Sequence, residues 1–124
     1  MSLAALPDPP YVAVVFTSVR RAVDPDGYAA TAAAMDASAA RQPGYLAHEG
    51  VRDAATGLGI TVSYWRTEAD AVAWKAVADH LGAQHLGAQR WYAEYRVVVA
   101  EVTRAYGSGA APSSGPDAGS VSPA

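Results

Sequence analysis

The sequence contains no cysteine, which excludes disulfides, thiolate metal ligands and cysteine nucleophiles. No stretch approaches the roughly 18 apolar residues of a membrane span, and Met1 to Pro10 lacks the basic start and long apolar run of a signal peptide. A soluble, cytoplasmic protein with no membrane partner is expected. Charge is sparse too: nine Lys and Arg against twelve Asp and Glu leave a net charge of -3 and a pI near 5.4. The basic residues are scattered, so there is no cationic face for phosphates and nucleic acid is not an expected partner. Also missing are the nucleophile elbow, the P-loop, the dinucleotide fingerprint, zinc-ligand spacing and a paired-carboxylate motif.

What is present is apolar side chain, 51% of 124 residues, enough for one core but not two. Residues 1–10 read as an extended lead-in, because Pro7, Pro9 and Pro10 fix φ and withhold their donors. One domain is expected over 11–107. Residues 108–124 form a Gly, Ala, Ser and Pro tail whose composition cannot offset the entropy of ordering it.

Within the domain, Tyr11 to Ser18 is β-branched and aromatic and reads as a strand. An alanine-rich helix is predicted from Tyr28 to about Gln42, capped by Asp26 and stopped by Pro43-Gly44. Tyr45–Arg52 and Leu58–Trp65 form a hairpin pair, the second placing Leu58, Ile60, Val62 and Tyr64 on one face and Gly59, Thr61, Ser63 and Trp65 on the other. Thr67, with Asp70 three residues on, caps a helix from Glu68 to about His80, its apolar stripe being Ala71, Trp74, Ala78 and Leu81. Gly82 and Gly87 set off a second helical piece from His80 to Trp91, and Tyr95–Tyr106 closes the domain as a strand.

This order is the α+β, ferredoxin-like β-α-β-β-α-β layout: a four-stranded antiparallel sheet with both helices on one face. The first and last strands are apolar on both faces, and two helices cover only one. Leaving a sheet-sized apolar patch in water is unfavourable at roughly 25 cal/mol per Å². A second copy is the simplest cover, so a homodimer is expected.

The side chains with chemistry form an aromatic and histidine cluster: Tyr64, Trp65, Trp74, His80, His85, Trp91 and Tyr92. On one continuous helix Trp74 and His85 share a face, whereas His80 and His85 diverge by roughly 140°, a poor metal pair; no metal is expected. The plain structural alternatives are a helix-end histidine satisfying carbonyls for His80 and His85, a core anchor for Trp74, and a solvated arginine for Arg90. The functional alternative is an aromatic cleft walled by Phe16, Tyr64, Trp74 and Trp91, with Arg90 available to an anion or phenolate. His85 or His80 would move a proton there near neutral pH.

The run from Gly59 to Trp74, with Lys75, His80-Leu81, Ala83-Gln84, Gly87, Arg90-Trp91-Tyr92, Tyr95 and Arg104-Ala105-Tyr106-Gly107, resembles a bacterial subgroup of the antibiotic biosynthesis monooxygenase family. The resemblance covers roughly Tyr11 to Gly107. It implies a dimeric α+β barrel with a cleft between helices and sheet in each subunit. In some members it implies oxidation of small aromatic molecules by O2 without a cofactor. Other members cleave heme, using an asparagine on the first strand, a tryptophan on the second helix and a histidine ten residues later. Trp74 matches that tryptophan, but Gln84 occupies the histidine position, with His85 one residue on, and the first strand has no asparagine. A non-catalytic dimeric binding or stress-related module on the same fold is the third reading.

Overall fold

Strand β1, Tyr11–Arg20, is the sheet's centre because both neighbours pair with it along nearly its whole length. In this computed structural model, which describes residues 3–84 and 91–108, there follow α1 (Pro25–Ala40), β2 (Tyr45–Arg52), β3 (Leu58–Trp65), α2 (Glu68–Gln84) and β4 (Tyr92–Val102). The sheet is antiparallel throughout, in the order β2-β3-β1-β4. The α+β, ferredoxin-like subunit fold expected from the sequence is the one observed.

Helix α1 starts earlier than the sequence reading placed it. Asp24, not Asp26, is the cap; its side chain accepts from the Gly27 amide at 3.2 Å. Pro25 then sits in the first turn, where its missing N–H costs nothing. Asp24 itself is left-handed, at φ 45°, a conformation that aspartate tolerates better than most residues and that fits the bar on αR before proline. Helix α2 is capped as expected, the Thr67 hydroxyl accepting from the Asp70 amide at 3.1 Å, but it runs past His80 to Gln84. The second helical piece expected up to Trp91 lies largely outside the described residues.

Strand β4 also shifts, from the expected Tyr95–Tyr106 to Tyr92–Val102. Among the described residues its one partner is β1, and Val102 already pairs with Tyr11, the first residue of that strand. Beyond Val102 the register meets Pro10 and Pro9, which have no N–H to give to a ladder. At the other end Arg20 lies opposite Tyr92, across an irregularity in register after Val19.

The core lies on the helix side, where Val12, Ala39, Trp65 and Ala71 are buried together, with Val14, Tyr45 and Trp74 packed against them. Trp65 is fully buried. Cross-strand rows on the other face run Tyr64–Ala13–Ala100, Val62–Val15–Val98, Ile60–Thr17–Arg96 and Leu58–Val19–Glu94. The first two rows are apolar apart from one phenol; the last two end in charge.

Candidate functional site

Alternate residues of β1 on the helix side are Val12, Val14, Phe16, Ser18 and Arg20, so the strand ends with an arginine at a position reserved for core. The opposing positions of β4 are Val99, Val97 and Tyr95. Helix α2 packs on β1 and β3 and helix α1 on β2, and this edge strip stays half open: Tyr95 is 53% exposed, Val97 44% and Val99 52%. A strip of aromatic and aliphatic surface thus stays partly open on the helix side of the sheet.

At the closed end of the strip the aromatics form a chain. Phe16 lies edge-on to Tyr92 at 5.4 Å between centroids and 5.7 Å from Tyr95; Tyr28 lies edge-on to both Tyr92 and Trp91 at 6.0 Å. The Arg20 guanidinium stands 4.1 Å from the centre of the Tyr28 ring, a cation–π distance. Arg52 supports the same ring from β2: it donates to Ser18 Oγ at 2.8 Å, to the Gly57 carbonyl at 2.5 Å and, at 3.4 Å, to Tyr28 Oη. Gly59 makes room for it, since a Cβ there would come within 2.6 Å of the Arg52 guanidinium. The Tyr92 phenol donates to Tyr28 Oη at 3.5 Å. Burial, and then this bond, hold its proton well above the ordinary tyrosine range.

Three donors in this cluster have no partner among the described residues although they are sealed from water: Arg20 Nε, Arg20 Nη2 and Trp91 Nε1. An unpaired buried donor costs about 1–3 kcal/mol, and more when charged. The only ion pairs among the described residues lie elsewhere, between His48 and Asp36 at 3.8 Å and between Lys75 and Asp79.

A second aromatic run crosses the core. Trp74 stacks on Trp65 at 5.9 Å with 20° between planes, and Trp65 meets Tyr45 edge-on at 5.7 Å. A 2.6 Å hydrogen bond joins Tyr45 Oη to His48 Nδ1. Burial, reinforced by Asp36, pushes the Tyr45 phenol up.

Of the residues the sequence singled out, Phe16, Trp74 and Trp91 lie on the helix side. Trp74 is half-buried against Trp65, and Trp91, 4% exposed, is in the turn before β4. Tyr64 points to the opposite face, edge-on to Tyr11 at 5.8 Å. His80 is exposed on α2. His85 and Arg90 lie outside the described residues. Arg20, Tyr28 and Arg52 escaped the sequence reading, although counting by twos from Phe16 places Arg20 inward. No group of three or more His, Asp and Glu able to hold a metal occurs among the described residues. The described residues do not fit the heme-cleaving set either: β1 offers no asparagine and His80 faces solvent. A depression of about 340 Å³ meets the strip at Val99, among Tyr11, Arg66, Glu68 and Glu101, and none of the expected aromatic wall lines it.

No family model matches the chain. YqjZ of Bacillus subtilis (strain 168), however, is 45% identical over 102 residues, covering 82% of this chain and 88% of that one. The chain belongs to the YqjZ family. The subunit fold of this YqjZ relative recurs in SnoaB, a cofactor-independent oxygenase from Streptomyces nogalater, with a TM-score of 0.63 at 16% identity over 78% of this chain and 97% of that one. It recurs again in PA3566 of Pseudomonas aeruginosa, with a TM-score of 0.60 at 13% identity over 78% and 96% of the two chains. It is also the fold of a putative antibiotic biosynthesis monooxygenase from Nitrosomonas europaea, with a TM-score of 0.60 at 21% identity over 77% of this chain and 91% of that one, as the sequence resemblance implied.

Proposed function

We propose that this YqjZ relative is a homodimeric, cofactor-independent monooxygenase that uses O2 to oxidise a small phenolic or polycyclic aromatic molecule. The observation that carries the reading is the half-open strip of Phe16, Tyr95, Val97 and Val99 on the helix side of the sheet, on a fold shared with a cofactor-independent oxygenase. A flat substrate lies on that strip, with Trp74 and Trp91 behind it and Arg90 beside Trp91 in the chain. In the reaction a ring methylene becomes a carbonyl: one oxygen atom of O2 enters the substrate, and the other leaves as water with the two displaced hydrogens. His85 or His80 accepts the first proton, which makes the substrate an electron-rich anion able to reduce O2. Tyr64, on the other face, belongs to the subunit contact in this arrangement.

The test is oxygen consumption by the purified protein with a panel of anthrones, with the oxygen atom gained by the product identified by mass. Uptake matched by quinone formation, and lowered in kcat by His85→Ala or His80→Ala with a shifted pH profile, supports the reading. No uptake across the panel overturns it. The near-complete burial of Trp91 and the stacking of Trp74 on Trp65 favour a second reading, a non-catalytic dimer that binds such molecules. It predicts ligand binding without oxygen consumption.

A further inference from the structure

We propose that the Arg20, Tyr28 and Trp91 cluster is a binding site for the carboxylate of a flat aromatic acid. The inference concerns binding alone and does not require the oxidation proposed above. It rests on the chemistry of three orphaned donors. Nε and Nη2 form one edge of the guanidinium, and their N–H groups point the same way at the spacing of two carboxylate oxygens. In Arg20 both are shielded from water without a hydrogen-bond partner among the described residues, as is the indole N–H of Trp91. Both side chains pack on the same ring, Arg20 over the face of Tyr28 and Trp91 edge-on to it.

Charge points the same way. Arg52, 5.9 Å from the centre of the Tyr28 ring and 5.8 Å from that of Tyr92, adds a second guanidinium, and no described carboxylate pairs with either arginine. Arg52 spends its donors on Ser18, Gly57 and Tyr28, which makes it a fixed support and leaves Arg20 as the free fork. The preference for a carboxylate on a ring follows from the walls: Tyr28, Tyr92 and Phe16 succeed one another edge to face, and aromatic faces and edges accept a flat apolar body. Arg20 as a whole is only partly buried, so a change of its rotamer turns the edge from the Tyr28 ring toward the strip and admits the ligand.

The experiment is calorimetric titration of the full chain with 2-naphthoate, with 2-naphthamide as neutral isostere, and with sulfate. Saturable binding of naphthoate, weaker by about tenfold or more for the amide, is expected, since hydrogen bonds to charged groups carry that much. Arg20→Lys keeps the charge and loses the fork, and should weaken naphthoate by a similar factor; Trp91→Phe keeps the ring and loses the donor, and should weaken it by about fivefold. Thermal melts of both variants verify that they fold, and Arg41→Gln, exposed at the far end of α1 from Tyr28, serves as a charge control with unchanged affinity. Equal binding of naphthoate and naphthamide overturns the proposal and leaves a buried water as the partner of these donors. So does naphthoate affinity indifferent to Arg20→Lys, or sulfate binding as tightly as naphthoate through Arg20. Oxygen uptake with neutral anthrones alongside failed naphthoate binding would overturn this site alone.

Discussion

Tyr92 shows how far one phenol in this site is from its behaviour in water. Burial first, then its bond to Tyr28, favour the neutral form against the opposing pull of Arg52 and Arg20. Below the ordinary tyrosine pKa of about 10 the folded and unfolded chains are both protonated there and the stabilisation is complete. Above it the unfolded chain releases its proton first, so stability falls as pH rises toward the folded value. Urea midpoints taken from about pH 8 to pH 11 should therefore decline, and Tyr92→Phe, which has no proton to lose, should decline less steeply. A residual slope is expected from Tyr11, Tyr45 and Tyr64, all raised chiefly by burial; slopes identical in the two proteins would show that Tyr92 titrates freely. At this scale the sequence was only partly legible. Aromatic residues announce themselves by type, so Phe16, Trp74 and Trp91, which lie on the helix side, are among those the sequence singles out. Arg20 and Arg52 carry no such mark, because their placement comes from strand parity and from a contact between residues 34 apart, Ser18 and Arg52, which no local pattern encodes.

Among the elements, β2 and β3 have the boundaries that the sequence predicts, Tyr45–Arg52 and Leu58–Trp65, since a strong strand and a short hairpin connection are local signals. The ends of α1 and β4 were not legible to the residue. The cap of α1 depends on a left-handed Asp24 before proline, and the end of β4 depends on where a distant strand begins. Gly59 is an element-scale choice that the pairing explains. In a strand otherwise rich in β-branched side chains it stands opposite Arg52 and Ser18, and any Cβ would press on the guanidinium. Gly59→Ala should remain folded, because the side chain it meets is flexible at that end, but should displace Arg52 from Ser18 and Gly57. The expected loss is about 1–3 kcal/mol in chemical denaturation. Arg52→Met should remove most of that difference, and if Gly59→Ala costs the same in the Arg52→Met background, the two residues are not coupled.

For the molecule as a whole, the decisive surface is the sheet face away from the helices. Its apolar rows centre on Val15, with Val62 on one side and Val98 on the other, and Leu58, Ile60 and Val98 are each 43–47% exposed in the single chain. A partner covering such a face removes of the order of 800 Å² per subunit, the area of an ordinary stable interface. Two copies related by a twofold axis place the same valine row against itself, which is why the dimer expected from the sequence remains the economical cover. The flanking rows, ending in Arg96 and Glu94, supply the polar rim such an interface has. Val98→Asp tests the arrangement with little disturbance to the subunit, because the side chain is already half in solvent on the edge strand. Sedimentation at micromolar concentration should show a dimer for the native chain and a monomer with unchanged far-UV circular dichroism for the variant. If the native chain sediments as a monomer, the apolar face is hydrated and the barrel is not formed; if Val98→Asp stays dimeric, the copies meet through another surface. Either result would leave the helix-side strip and the Arg20 edge in place, since both are built within one subunit.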